Sequence, residues 1–160
     1  MFAWYVGLSV LIVANVFRSS GVDYRLVALG ALLPLVVDLP VGHRAFGHAL
    51  LFPVALLVLV MVGTIGRSRL LRRRWLCLPI GIFCGLVLSG AFTADKVFWW
   101  PALGSHFGHE SLLPVWWVVL LEELVGLFAV WWVVGQFDLY LPGPRAEFVR
   151  SGHLREGSAP

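Results

Sequence analysis

This sequence predicts an all-α integral membrane bundle of about five transmembrane helices, and three observations carry that expectation. Hydrophobic residues make up 59% of the 160 positions and charged residues 13%, where soluble domains run near a quarter charged. The apolar residues fall in long runs separated by short polar junctions, and the mean hydropathy is +0.87. Third, five of the twelve basic residues (Arg67, Arg69, Arg72, Arg73 and Arg74) crowd one junction between two such runs. A cluster of that kind marks the cytoplasmic side of a membrane, because positively charged loops resist translocation. The net charge of +3 is therefore read as a topology signal, and nucleic-acid binding is excluded.

The first helix is expected over Phe2 to Phe17, marginal in length for a core about 30 Å thick. No basic residue precedes it and no small-x-small cleavage site follows, so it reads as a retained span. The second is expected over Tyr24 to Val37. Its fourteen residues reach only about 21 Å at 1.5 Å each, so it is a short span or a re-entrant segment. The third runs from Phe46 to Ile65, with Pro53 as a kink. Residues Trp75 to Phe92 form the fourth, and Leu112 to Val134 the fifth. Cys77 and Cys84, seven apart on one helix, stand about 10 Å from each other and cannot form a disulfide. The chain thus divides into a transmembrane helical domain, 1–135, and a cytoplasmic, mostly disordered tail, 136–160, with Pro142, Gly143 and Pro144 near its start.

Sidedness follows from the arginines. With the 66–74 loop inside, the 38–45 junction and the 93–111 loop lie outside. The tail, with Arg145, Arg150 and Arg155, is then inside. The N-terminus is outside if the second helix spans, and inside if it is re-entrant. Trp4, Tyr5, Trp99, Trp100, Trp116 and Trp117 fall near the outer interface, and Trp75, Trp131 and Trp132 near the inner one, as an aromatic belt requires. Arginine outnumbers lysine eleven to one, which with the Ala, Val, Gly and Leu content suggests a GC-rich genome and a bacterial inner membrane.

Chemistry-bearing residues gather on the outer side. Asp38 closes one apolar run, and His43 and His48 open the next. A carboxylate and imidazoles are the usual ligands of zinc or manganese, so Asp38, His43 and His48 are candidate metal ligands. The 93–111 loop adds Asp95, His106, His109 and Glu110, the last a candidate general base beside a bound water. Glu122 and Glu123 sit near the centre of the last span, where ionised groups are costly and face the bundle interior. Adjacent helical positions point about 100° apart, so at most one of the two can face a given site.

These residues also carry a resemblance. Leu33-Pro34 and Asp38, then His43, Arg44, Phe46 and His48, then Trp100-Pro101 recur in the order found in the membrane-bound metal-dependent hydrolases of bacteria, the YdjM-like group, and the resemblance covers about residues 20 to 130. It implies a divalent metal site at the outer membrane face. There a bound water would hydrolyse an ester or phosphoester, with a lipid or envelope precursor as substrate. It makes Glu123 the family-like acid of the last span and a candidate catalytic residue; Asp95, six residues after Ser89 and just beyond the helix end, is a second candidate from its position in the chain. The chain departs from the pattern at three ligand positions: Leu35 replaces an acid, and Gly85 and Ser89 replace a histidine and an aspartate. The resemblance is thus to a divergent member whose usual ligand set is incomplete. Two other classes stay open: a non-catalytic membrane protein that binds a partner or lipid, and a small transporter subunit using Glu122 or Glu123.

Overall fold

The computed structural model describes residues 1–17, 21–102, 111–112 and 114–154. Seven α-helices occur among them: α1 (Phe2–Phe17), α2 (Tyr24–Asp38), α3 (Leu51–Gly63), α4 (Arg69–Leu88), α5 (Asp95–Phe98), α6 (Trp116–Gln136) and α7 (Pro142–Ser151). Two short 3-10 turns, Phe46–His48 and Ala91–Thr93, lie in the connections. There is no strand among the described residues, only an isolated bridge between His43 and Ser111. The protein is all-α, as its composition predicts.

Helix α2 packs along α4 and α1 along α6, while α1 also packs on α2 and α3 on α4. Glycines set the two main crossings. A Cβ at Gly30 would collide with the Leu78 carbonyl, one at Gly81 with the Val27 carbonyl, and one at Gly85 with the Ala31 carbonyl. Gly30 and Gly81 face each other so closely that each one's Cβ would stand 3.0 Å from the other's Cα. Gly81 and Gly85 form a G-x-x-x-G pair, which removes side-chain bulk from one helical stripe and lets backbones touch. The α1–α6 crossing repeats the device: a Cβ at Gly7 would lie 2.6 Å from the Gly126 carbonyl oxygen, and one at Gly126 would strike the backbone of Ala3 and Trp4. Beside these contacts Val13, Val27, Ile82 and Leu86 are almost completely buried.

Helix ends follow local chemistry. Four of the five clustered arginines, Arg69, Arg72, Arg73 and Arg74, lie in the first turns of α4 and not in a loop before it, because Ser68 caps the helix by accepting a hydrogen bond from the Leu71 amide at 3.3 Å. Pro53 falls in the first turn of α3. Amides there have no intrahelical partner, so the proline starts this helix where the sequence suggested a kink. Residues 136–160, expected to be mostly disordered, contain α7, with Pro142 and Pro144 in its first turn and Gly152 ending it at a φ of 77°. That helix is tied down: Arg25 donates to the Val149 carbonyl at 2.7 Å, and the Tyr24 amide to the Gly152 carbonyl at 2.9 Å.

Among the described residues one helix, α6, is long and apolar enough to cross a membrane: it has 21 residues, and only 17% of its apolar window is buried. The core helix of a soluble protein would hide most of that surface. α1 and α3 are apolar but shorter. Val16, Leu59, Ile65, Leu127 and Trp131 are all more than half exposed.

The close α2–α4 approach makes a direct prediction. Gly81→Val should lower the unfolding free energy in detergent by about 2 kcal/mol or more, since the backbones must separate to admit the side chain. Gly63→Val, at a position with open space around it, should change it by less than about 1 kcal/mol. Equal effects at both sites would remove the crossing as the reason for the glycine.

Candidate functional site

Asp38 is the last residue of α2 and is 1% exposed. The chain reverses directly after it. The amides of Val41 and Gly42 donate to the Asp38 carbonyl at 3.1 and 3.2 Å, and Gly42 supplies the left-handed turn with a φ of 75°. The segment then returns across the carboxylate. Oδ1 accepts from the Gly47 amide at 2.8 Å. Oδ2 accepts from the Ala45 amide at 2.7 Å and the His48 amide at 3.2 Å. The His48 ring adds a fourth contact, Nδ1 to Oδ2 at 2.7 Å. Glycine is required at 47, because a Cβ there would lie 2.6 Å from the Pro34 carbonyl oxygen and 2.8 Å from Oδ1.

The four contacts assign protons. An ionised carboxylate only accepts hydrogen bonds, so Nδ1 of His48 is the protonated nitrogen and Nε2 is the one left over. Backbone amides and an imidazole N–H all favour the charged carboxylate, offsetting the cost of burying it. An aspartate–histidine pair in this arrangement can orient Nε2 toward a proton or a metal ion. It can equally act as a clasp that closes the α2–α3 connection.

What this junction holds is a cap on one end of the bundle. Arg44 extends to α4 and donates from Nη2 to the Ser89 carbonyl at 2.9 Å, while Trp4 donates from Nε1 to the Leu88 carbonyl at 3.1 Å. The last carbonyls of a helix lack intrahelical partners and carry partial negative charge, so a guanidinium there answers both needs. The Phe46 ring meets Phe52 and Trp100 edge-on, with centroids 5.4 and 5.9 Å apart. The Leu50 amide donates to the Phe98 carbonyl at 2.9 Å. The structure therefore gathers Asp38, Arg44, Phe46, His48 and Trp100 at one end of the bundle.

Of the other expected site residues, part have described positions and part do not. Nδ1 of His43 lies 3.1 Å from the Val41 carbonyl oxygen, and its backbone pairs with Ser111. Asp95 opens α5; its side chain, like His106, His109 and Glu110, lies outside the described residues. Leu35 is buried among Met1, Tyr5, Ala31 and Leu112. Ser89 donates its hydroxyl to the Leu86 carbonyl at 2.9 Å. Among the described residues, no three His, Cys, Asp or Glu side chains lie close enough together to hold a metal ion.

The paired glutamates divide their work. Glu123 receives the Met1 amine and the Ala3 amide, the latter at 3.3 Å, and so serves the start of α1. Oε2 of Glu122 and Nε of Arg44 are both buried with no hydrogen-bond partner among the described residues.

A second charged cluster, not expected from the sequence, sits at the opposite end of α2. Asp23, 1% exposed, accepts from the Arg25 amide and Nε through Oδ1, and from Arg25 Nη2 and Arg74 Nε through Oδ2, at 2.9 to 3.2 Å. Its own amide donates to Cys77 Sγ at 3.3 Å. Burial pushes the Asp23 carboxyl up, but the two guanidiniums outweigh it and hold the group below the ordinary carboxylate range. An aspartate directly before an apolar run is a helix N-cap signal, and that signal was legible.

No family model, no curated protein and no solved structure matches this chain.

The geometry of Asp38 predicts the outcome of a nearly isosteric change. Asp38→Asn should cost about 2–4 kcal/mol of unfolding free energy, since the amide NH2 would face a backbone N–H and at least one buried donor would lose its acceptor. A change under about 0.5 kcal/mol in detergent unfolding would mean that the four contacts do not hold the junction.

Proposed function

We propose that this chain is a multi-pass protein of the bacterial inner membrane, similar in motif order to the YdjM-like metal-dependent hydrolases. In it the Asp38–His48 pair is a structural clasp and the bundle is non-catalytic. On this reading α1, α2, α3, the apolar part of α4 and α6 cross a thinned bilayer. The arginine-rich start of α4 and the C-terminal helix α7 then lie in the cytoplasm. The apolar exposure of α3 and α6 supports the lipid contact, since soluble monomers rarely leave such surface uncovered.

The observation that carries the reading is the saturation of the Asp38 carboxylate by four donors in a buried junction. A carboxylate so engaged is an orienter of His48 and a poor ligand itself. The donor set does not fit a divalent ion of the family kind. His48 Nε2 is one candidate donor, His43 turns to its own backbone, and Glu123 is engaged with the start of α1. Position 85 cannot regain a histidine while α4 touches α2 at Ala31. The same residues thus support a fold that keeps the family's cap on the bundle without its metal chemistry.

The test is metal content by mass spectrometry on detergent-purified protein, before and after incubation with zinc and manganese. No stoichiometric metal in either sample is the expected result. Close to one equivalent, lost in the Asp38→Ala, His48→Ala double variant, would overturn the reading and return hydrolysis to consideration.

A further inference from the structure

A cleft of about 460 Å³ opens at the arginine-rich end, between the entry to α2, the first turns of α4 and the end of α7. Its polar lining includes Ser68, Arg73, Arg74, Ser151 and His153, with Leu70 and Leu71 at its edge. The charges do not cancel inside it. Asp23 also lines the cleft, but Arg25 holds that carboxylate with three N–H groups, against a single one from Arg74. Arg74 thus keeps both Nη groups uncommitted to any described hydrogen bond, and its side chain is 54% exposed. Arg73 is exposed and makes no side-chain hydrogen bond or ion pair among the described residues. Ser151 gives its hydroxyl proton to the Glu147 carbonyl at 2.8 Å, so the cleft presents two guanidiniums, the Ser68 hydroxyl and an imidazole, a donor set that suits a phosphate group.

Apolar surface adjoins these donors. Leu70 is 75% exposed, Leu71 38% and Trp75 45%, all on the first turns of the same helix. Cations beside uncovered leucines fit an amphipathic anion better than a free one, since only the former has chains to lay on them. We propose that this cleft binds the headgroup of an anionic phospholipid of the cytoplasmic leaflet, with Arg73 and Arg74 on its phosphate and Leu70 and Leu71 against the start of its acyl chains. The proposal rests on the membrane-embedded reading above.

Native mass spectrometry of the detergent-released full chain tests it, with phosphatidylglycerol, phosphatidylcholine and inorganic phosphate as separate probes. Retained phosphatidylglycerol should exceed phosphatidylcholine, and Arg73→Gln should weaken its retention about tenfold, the effect expected of losing a hydrogen bond between charged groups. Arg69→Gln removes the same charge from the same helix but not from the cleft, so it loses only the non-specific attraction of an arginine near an anionic surface and should weaken retention clearly less. Equal retention of the two lipids would overturn the proposal, and so would equal loss in the two variants. Displacement of phosphatidylglycerol by stoichiometric inorganic phosphate would also overturn it, marking a free-anion site. Alkaline carbonate extraction of membranes keeps the two readings apart. Release of the protein would refute membrane embedding itself, whereas retention without lipid preference would refute only the headgroup site.

Discussion

The contact between the backbones of α2 and α4 is the constraint on which the rest of this structure depends. Gly30, Gly81 and Gly85 let the two helices approach until carbonyl oxygens of one lie over the Cα atoms of the other. On the membrane-embedded reading there is little hydrophobic force between helices, and close van der Waals packing takes its place. The approach has a steric consequence as well. A side chain at position 85 needs the space that the Ala31 carbonyl occupies, so the packing that holds the bundle leaves no room for one there.

Buried aspartates bracket α2. Asp23 begins the helix and Asp38 ends it, and both are almost wholly hidden from solvent. Each is stabilised by donors from parts of the chain that must be brought to it. Asp23 collects Arg25 of its own helix and Arg74 of α4, and the neighbouring Tyr24 and Arg25 bind the end of α7. Asp38 collects the 45–48 segment, which carries Arg44 to the last carbonyls of α4 and Phe46 to Trp100. The glycine crossing sets how far apart α2 and α4 lie, and the two carboxylates pin the segments that cover their ends. Burying a charge is expensive unless it is fully hydrogen-bonded. A carboxylate with several donors therefore specifies its surroundings more sharply than an apolar residue would.

The helices were legible in the sequence because apolar runs report burial or lipid contact directly, and α1, α2 and α6 begin and end within a few residues of where those runs do. The Asp38–His48 pairing was legible too, since a residue at one helix end and another ten positions later can meet across a tight connection. The role proposed for the pair was not. Ligand and clasp use the same two residue types, and only the three backbone amides around the carboxylate separate them; amides leave no mark on a sequence. Glycine at 85 reads as a missing ligand when set beside a family motif, yet with Gly81 it is a packing motif visible without any comparison. The choice of Glu123 over Glu122 followed the motif spacing, and α1, which supplies the partners of Glu123, lies far away in sequence. α7 was hidden by its two prolines, which break a helix interior but suit a first turn.

The account turns on whether Asp38 and His48 act on each other to hold the fold. A double-mutant cycle measures this most directly: reversible unfolding in detergent of the wild type, Asp38→Ala, His48→Ala and the double variant, with no metal added. A buried, hydrogen-bonded charged pair of this kind should show a coupling energy of about 1–3 kcal/mol, with the double variant well short of the sum of the single losses. Additive losses, within about 0.3 kcal/mol, would contradict the clasp and leave the pair to be explained by chemistry outside the fold.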